Sequence, residues 1–212
     1  MRTKSEARRQ AILDAASVVF QETGFERASM SAICERLGYS KATLYNYFSS
    51  KEELFSAVVF DATEAEFQAS LEALDPSMQD ITRALELFGQ RLLTLIYSPQ
   101  VQAMRRLVVS EAGRSELGRK CYELGPVRNE AVAAAFLQQA MNTGKLRQAD
   151  PRIAALHLRG LLEAEWLDRF LFQVLSDISA EELKGTVQRA VAAFMAAYGP
   201  SDRLAAPADH PL

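Results

Sequence analysis

The chain has 212 residues, enough for one sizeable domain or a small domain leaning on a larger one. Hydrophobic residues make up 49% and charged residues 24%, a globular balance that excludes a disordered or fibrous chain. The net charge of −3 argues against a protein that coats nucleic acid indiscriminately.

Charge is unevenly spread. Residues 1–52 hold 8 Lys/Arg against 6 Asp/Glu, which leaves 16 against 21 for the remainder, so a basic head precedes an acidic body. Residues 1–9, MRTKSEARR, carry no apolar pattern before Ile12. They read either as a frayed, solvated end or as an arm that tracks phosphates or reaches a minor groove. A helix is predicted from about Glu6 to Thr23, with Ile12, Ala15, Ala16, Val19 and Phe20 on one stripe and Gly24 as its stop.

The stretch from Ser29 to Leu54 is the organising element. Met30, Ile33 and Leu37 recur at spacings of three and four, marking the apolar face of a helix opened by Ser29 or Ser31. Gly38 falls where a left-handed residue ends a helix, and Ser40 then caps the next one, Lys41 to Phe48. Leu44 and Phe48 point inward, which leaves Lys41, Ala42, Thr43, Tyr45 and Tyr47 on the other faces. Two short helices joined by a Gly-containing turn make a helix-turn-helix, whose second helix can enter a DNA major groove. Ser50 and Glu53 then have the form of a capping box, opening a helix to about Leu74 with Leu54, Val58 and Phe67 inward. Asp75-Pro76 ends this helix, which is expected to bridge head and body.

Everything beyond reads helical. Residues 77–97 carry Met78, Ile81, Leu85, Phe88, Leu92 and Leu95 at helical spacing, and Pro99 ends them. A shorter helix over 100–112 closes at Gly113, and a segment over 115–124 stops at Gly125-Pro126. The pattern resumes from Val127 to Asn142 and ends at Gly144. Asp150 caps a long helix to about Leu175, and Ser179 with Glu182 opens a last one to about Tyr198. The Pro- and Ala-rich tail, 199–212, is expected to be disordered. The expectation is an all-α chain of about nine or ten helices with no strands and no repeat. It divides into a helix-turn-helix head (1–50) and a helical ligand-binding and dimerisation body (51–198).

The block LGYSKATLYNYFSSKEEL, with Phe20, Gly24 and Phe25 before it, resembles the signature of the TetR family of bacterial transcriptional regulators. RRLVVSEAGR at 105–114 and ELGRKCYELGP at 116–126 are similar, more loosely, to the C-terminal domain of AefR-like members. The resemblance implies that Lys41, Ala42 and Thr43 face the bases. Lys41 suits guanine O6 and N7, Ala42 suits a thymine methyl, and Thr43 can serve a base or a phosphate. Tyr45, Tyr47 and Lys51 are read as phosphate contacts and Ser31 as a phosphate or base contact. Many family members carry His where this chain has Tyr47, so the option of charge is lost there. Packing of the tyrosines and solvation of the lysines are the plain alternatives for each residue taken singly.

The body has no HExxH, GxSxG or Gly-rich phosphate loop, and its histidines are His157 and His210, so neither catalysis nor a metal or other cofactor is expected. Arg105, Arg106, Glu111, Tyr122, His157, Glu163, Glu165 and Trp166 are polar or amphipathic groups set in apolar helices. Arg105, Arg106, Glu111, Tyr122, His157 and Trp166 are the candidates to orient a hydrophobic or amphipathic effector. Salt bridges on exposed faces are the alternative. Residues 161–175 are apolar on nearly all sides, and Ala192, Ala193, Ala196 and Ala197 would let a partner helix approach closely, which suggests a two-fold homodimer through 150–198, with the body's own core as the alternative. Cys34 and Cys121 fit neither a disulfide framework nor a zinc site; they read as packing residues or idle thiols, with redox sensing the alternative. With no secretory signal and no long apolar run, a cytoplasmic location is expected. The resulting reading is a ligand-responsive repressor on a near-palindromic operator. A DNA-binding protein without an effector, and a helical carrier or adaptor, are its rivals.

Overall fold

The computed structural model describes residues 4–200 apart from 176. The expected disorder of the tail from 201, with His210, lies outside the described residues, as do the first three residues of the basic arm. Among the described residues the secondary structure is helical throughout, without strands. None of these helices is long and apolar enough to cross a membrane. The chain divides into two compact units, Met1–Ala65 with Ile96–Glu123, and Glu66–Leu95 with Leu124–Leu212.

In the first unit, α1 (Lys4–Arg27) starts earlier than the apolar pattern suggested, because the basic run is itself helical from Lys4. Gly24 interrupts it at φ 76° and ψ 162°. Three elements follow: α2 (Met30–Leu37), α3 (Lys41–Tyr45) and α4 (Lys51–Glu72), the last of which passes into the second unit from Glu66. Leu13, which the stripe read from the sequence omitted, is buried beside Ile12, Ala16, Val19 and Phe20. These side chains close over Met30, Ile33, Cys34, Leu44, Phe48, Leu54 and Val58 as one core. Phe20, Phe25 and Phe55 meet at ring-centroid distances of 5.0–6.2 Å along its edge. Full burial of a leucine such as Leu44 contributes about 1.5–3 kcal/mol.

The same unit includes α6 (Pro99–Ser110) and α7 (Leu117–Tyr122), with Leu117 and Cys121 buried. Ser98 caps α6 with Pro99 at its first position, where a missing N–H costs nothing. Cys34 and Cys121 are both buried free thiols. Burial pushes the Cys121 thiol up, away from its reactive thiolate form.

The second unit holds part of α5 (Ile81–Ile96), with α8 (Arg128–Asn142), α9 (Pro151–Glu163), α10 (Leu167–Leu171) and α11 (Ala180–Tyr198). Its core contains Leu85, Phe88, Leu93, Leu137, Leu162, Trp166, Val187 and Phe194. A Cβ placed on Gly89 would lie 2.7 Å from Leu162 Cδ2 and 2.9 Å from Val187 Cγ1, so this glycine lets α5 close against α9 and α11.

Beyond α4, three boundaries differ from the sequence reading. First, α5 begins at Ile81 rather than 77, since the Asp80 side chain accepts from Arg83 N and caps it. Met78 stays outside the helix and its carbonyl accepts from Lys145 Nζ. Second, Gly125-Pro126 does not stop the chain. A single π-helical turn, Glu123–Val127, carries it from α7 into α8, and the wider coil accommodates the proline ring and its missing N–H. Third, the long helix expected to Leu175 breaks at 164–166, where the bonds tighten to Ala164 N→Leu161 O and Trp166 N→Glu163 O. Leu162, Trp166 and Phe170 keep a spacing of four across the break and stay buried, so the apolar pattern runs through it unmarked.

Candidate nucleic-acid interface

The turn between α2 and α3 is built from caps. Ser29 is the N-cap of α2 and accepts from Ala32 N at 3.1 Å. Gly38 takes the left-handed conformation, φ 67° and ψ 23°, and its N–H closes onto the carbonyls of Cys34 and Glu35. Ser40 Oγ accepts from Thr43 N at 3.1 Å and starts α3. The helix ends at Tyr45 rather than Phe48, with Asn46 as its C-cap, yet Phe48 N still bonds Leu44 O.

This geometry sorts the short helix cleanly. Leu44 and Phe48 are buried in the core, while Lys41, Ala42 and Tyr45 are exposed, Tyr45 at 50%. Asn46 is also exposed, four residues after Ala42 on the same face, and was missed because it reads as a turn residue. Thr43 is half-buried and its hydroxyl lies 2.9 Å from Ser40 Oγ. Tyr47 is half-buried against the head core. Ser31 is half-buried on the first turn of α2.

Lys51 has a different setting from a free surface lysine. Its Nζ donates to Phe25 O at 2.9 Å and Glu26 O at 3.4 Å, and lies 4.3 Å from the Phe25 ring centre. Arg9, in the basic run, places its guanidinium 5.3 Å from the Phe48 ring centre. Ser50 Oγ accepts from Glu53 N at 3.0 Å, as a capping box requires. The Glu53 carboxylate, however, accepts from Ser49 N at 2.8 Å and Ser49 Oγ at 2.6 Å, one residue further back. Its other oxygen takes a 2.6 Å bond from Lys120.

The sequence model of bacterial regulatory proteins of the tetR family matches residues 12–58, and that of the AefR-like transcriptional repressor C-terminal domain matches residues 83–200. The chain belongs to the TetR family of transcriptional regulators. The HTH-type transcriptional regulator UidR of Escherichia coli K12 is 34% identical over 155 residues, spanning 65% of this chain and 79% of UidR. A TetR-family structure from Mesorhizobium loti MAFF303099 superposes with a TM-score of 0.79 at 30% identity, covering 93% of this chain and 100% of that one. The flavonoid-responsive regulator FrrA gives a TM-score of 0.68 at 30% identity, over 92% of this chain and 98% of FrrA. TetR-family regulators bind DNA, and the stretch that matches the tetR-family model, residues 12–58, contains the helix-turn-helix just described.

The candidate effector residues of this TetR-family chain belong to both units. In the first unit, Arg105 packs 5.3 Å from the Tyr97 ring centre and donates to Ile96 O, and Arg106 reaches Gln102 Oε1. Glu111 is the C-cap of α6, and Tyr122 is exposed at the end of α7. In the second unit, His157 is exposed on α9 with Nδ1 2.6 Å from Tyr198 Oη, whereas Trp166 is wholly buried as core. Glu163 is buried and accepts from Arg159 Nε at 3.1 Å. Glu165 accepts from Arg189 and Thr186, and the Arg189 guanidinium holds its carboxyl down at about 2 against the opposing pull of desolvation. A small hollow in the second unit, between Met78, Ile81, Phe136 and Lys145, includes none of the six candidates.

Proposed function

We propose that this TetR-family regulator is a homodimeric, ligand-responsive repressor that reads a near-palindromic operator. Residues 1–50 form its DNA-binding domain and 51–198 its effector and dimerisation domain. The observation that carries the reading is the division of α3, with Lys41, Ala42 and Tyr45 exposed opposite the buried Leu44 and Phe48. Lys41, Ala42 and Thr43 read bases, while Ser31, Tyr45, Tyr47 and Lys51 hold phosphates and fix register. Repression is supported by the match of the body to the C-terminal domain of AefR-like repressors.

Dimerisation is supported by apolar surface on the late helices. Ile153 and Leu156 on α9, Leu167 and Leu171 on α10, and Phe172, 77% exposed, are uncovered in the single chain. Ala192, Ala193, Ala196 and Ala197 are exposed along α11. Such a face is covered when two copies pack isologously. Two recognition helices then meet half-sites about one DNA turn, roughly 34–36 Å, apart or at a multiple of that. The effector is a small hydrophobic or amphipathic molecule, a class in line with the flavonoid response of FrrA, and Arg105, Arg106, Glu111 and Tyr122 of the first unit are its candidate contacts, whereas Trp166 belongs to the core of the second. The effector releases DNA to the extent that it binds the DNA-incompetent form more tightly.

The test is binding to the duplex upstream of the protein's own gene against a scrambled duplex at fixed salt, with the mass of the free protein measured alongside. Preference by a factor of roughly a thousand is expected from a dimer. Weak, equal binding to that duplex, the scrambled one and fragments recovered by a genome-wide pull-down would leave a helical carrier or adaptor as the reading.

A further inference from the structure

The carboxylate of Glu53 joins two parts of the first unit that are distant in sequence. One oxygen accepts from the backbone N–H and hydroxyl of Ser49, in the turn that leaves the recognition helix α3 for α4. The other accepts from Lys120 Nζ of α7 at 2.6 Å. The buried Cys121 follows Lys120 directly, and Leu117 is buried three residues earlier, so α7 is anchored by its apolar face while Lys120 reaches out to Glu53. Partial burial of the Glu53 carboxyl works against its charge. The bonds from Lys120 and Ser49 outweigh that and hold its pKa below the ordinary glutamate value.

We infer that Lys120 and Glu53 act as positioning residues for DNA recognition, with Lys120 of α7 orienting the carboxylate that holds the Ser49 turn at the end of α3. The inference rests on the DNA-reading function proposed above and adds a point of control to it. On either side of Ser49, Phe48 is buried in the head core and Ser50 caps α4. Ser49 is exposed, and α3 ends one turn after it begins, so its C-terminal end depends on what holds residues 46–50. A carboxylate bonded only by Ser49 can leave the turn by rotating about its own side chain. One also tied to Lys120 is restricted to the rotamer that meets both partners. Any displacement of α7 that moves Lys120 out of reach would therefore loosen the exit of the recognition helix. This makes the α7 segment a component of the DNA-binding head despite lying some 67 residues along the chain from Glu53.

The experiment compares the full chain with Lys120→Gln, Glu53→Gln, the double variant and Lys120→Arg. Two readings are taken: amide hydrogen exchange over residues 46–50 without DNA, and affinity for the upstream duplex across a salt series. A half-exposed ion pair predicts exchange faster by about two- to five-fold in Lys120→Gln, with a loss of affinity of similar size. Lys120→Arg restores both, and the double variant is no worse than Glu53→Gln alone, since the two residues act as one unit. The slope of affinity against salt stays that of the unmodified protein. Unchanged exchange in Lys120→Gln overturns the proposal. So does a loss that adds to that of Glu53→Gln and lowers the salt slope by about one, which would make Lys120 a direct phosphate contact. A chain whose unmodified form does not discriminate between duplexes fails the DNA-reading function instead, while the exchange measurement still decides the role of Lys120 in the turn.

Discussion

Lys51 Nζ lies 2.9 Å from the carbonyl oxygen of Phe25 and 4.3 Å from the centre of the Phe25 ring. The first residue of α4 thus closes the end of α1 just past its break at Gly24, satisfying carbonyls at a helix C-terminus where a cation is favoured. The same charge is the one proposed to hold a DNA phosphate, so the two roles separate in different measurements. Lys51→Ala should lower the thermal midpoint by a few degrees, in line with the loss of about 1 kcal/mol from a charged hydrogen bond and a cation–π contact. Binding to all duplexes should weaken together. A midpoint unchanged, with the salt slope reduced by a full unit, would return Lys51 to a purely phosphate role.

Lys41 is exposed on α3, whereas Lys51 is half-buried and bonded to the Phe25 carbonyl. Lys41→Ala should leave the thermal midpoint in place. It should cost about 1–3 kcal/mol in operator binding and relax the preference at one base pair of each half-site. Equal weakening on native and scrambled DNA would remove Lys41 from the base-reading set.

Gly89→Ala tests the close approach of α5 to α9 and α11. Alanine gains about 1 kcal/mol in helix propensity over glycine. The added methyl would stand 2.7 Å from Leu162 and 2.9 Å from Val187, both fully buried and hemmed in, and overpacking of this kind costs about 1–3 kcal/mol. Steric cost should win, and denaturant unfolding should show a lower midpoint. A midpoint that rises would mean the core yields at this point.

The Glu165–Arg189 pair makes a pH prediction. The Glu165 carboxyl titrates at about 2 in the folded chain, below its unfolded value of about 4.3. Its contribution is therefore present in full above the unfolded value and is lost as pH falls toward the folded one. Thermal midpoints of wild type and Glu165→Gln should differ at pH 6 and converge as the pH approaches 2, with a smaller gap in high salt because the pair is largely solvent-exposed. A gap that is constant down to pH 2 would rule out the ion pair as its source.

Ala193 lies on the exposed face of α11 where a partner helix is proposed to approach. Ala193→Glu should shift the protein from dimer to monomer in sedimentation, since it puts a charge opposite its own symmetry mate in a close-packed contact. A chain that remains dimeric would move the interface elsewhere.

The head was legible because its signals are local. A serine three residues before a backbone N–H, a glycine at a left-handed position and apolar residues three and four apart are all read within one turn of helix, and Ser29, Gly38, Ser40, Leu44 and Phe48 behave accordingly. The body's helices were legible as elements for the same reason, through Asp150, Ser179 and the stripe of α5. The candidate effector residues are polar or amphipathic groups in apolar surroundings, and residue type cannot distinguish a pocket wall from the wholly buried core that Trp166 occupies.

By itself, then, the sequence specified an all-helical chain, the turn and caps of its helix-turn-helix, and the face that α3 leaves exposed. Tertiary structure decided the rest. It broke the helix after Glu163 without disturbing the spacing of Leu162, Trp166 and Phe170, carried Pro126 through a π-helical turn, and engaged Lys51 with Phe25. It also brought Lys120 to Glu53 across 67 residues. Periodicity and capping report only neighbours along the chain. A hydrogen bond between residues far apart exists only once the core has chosen which helices meet.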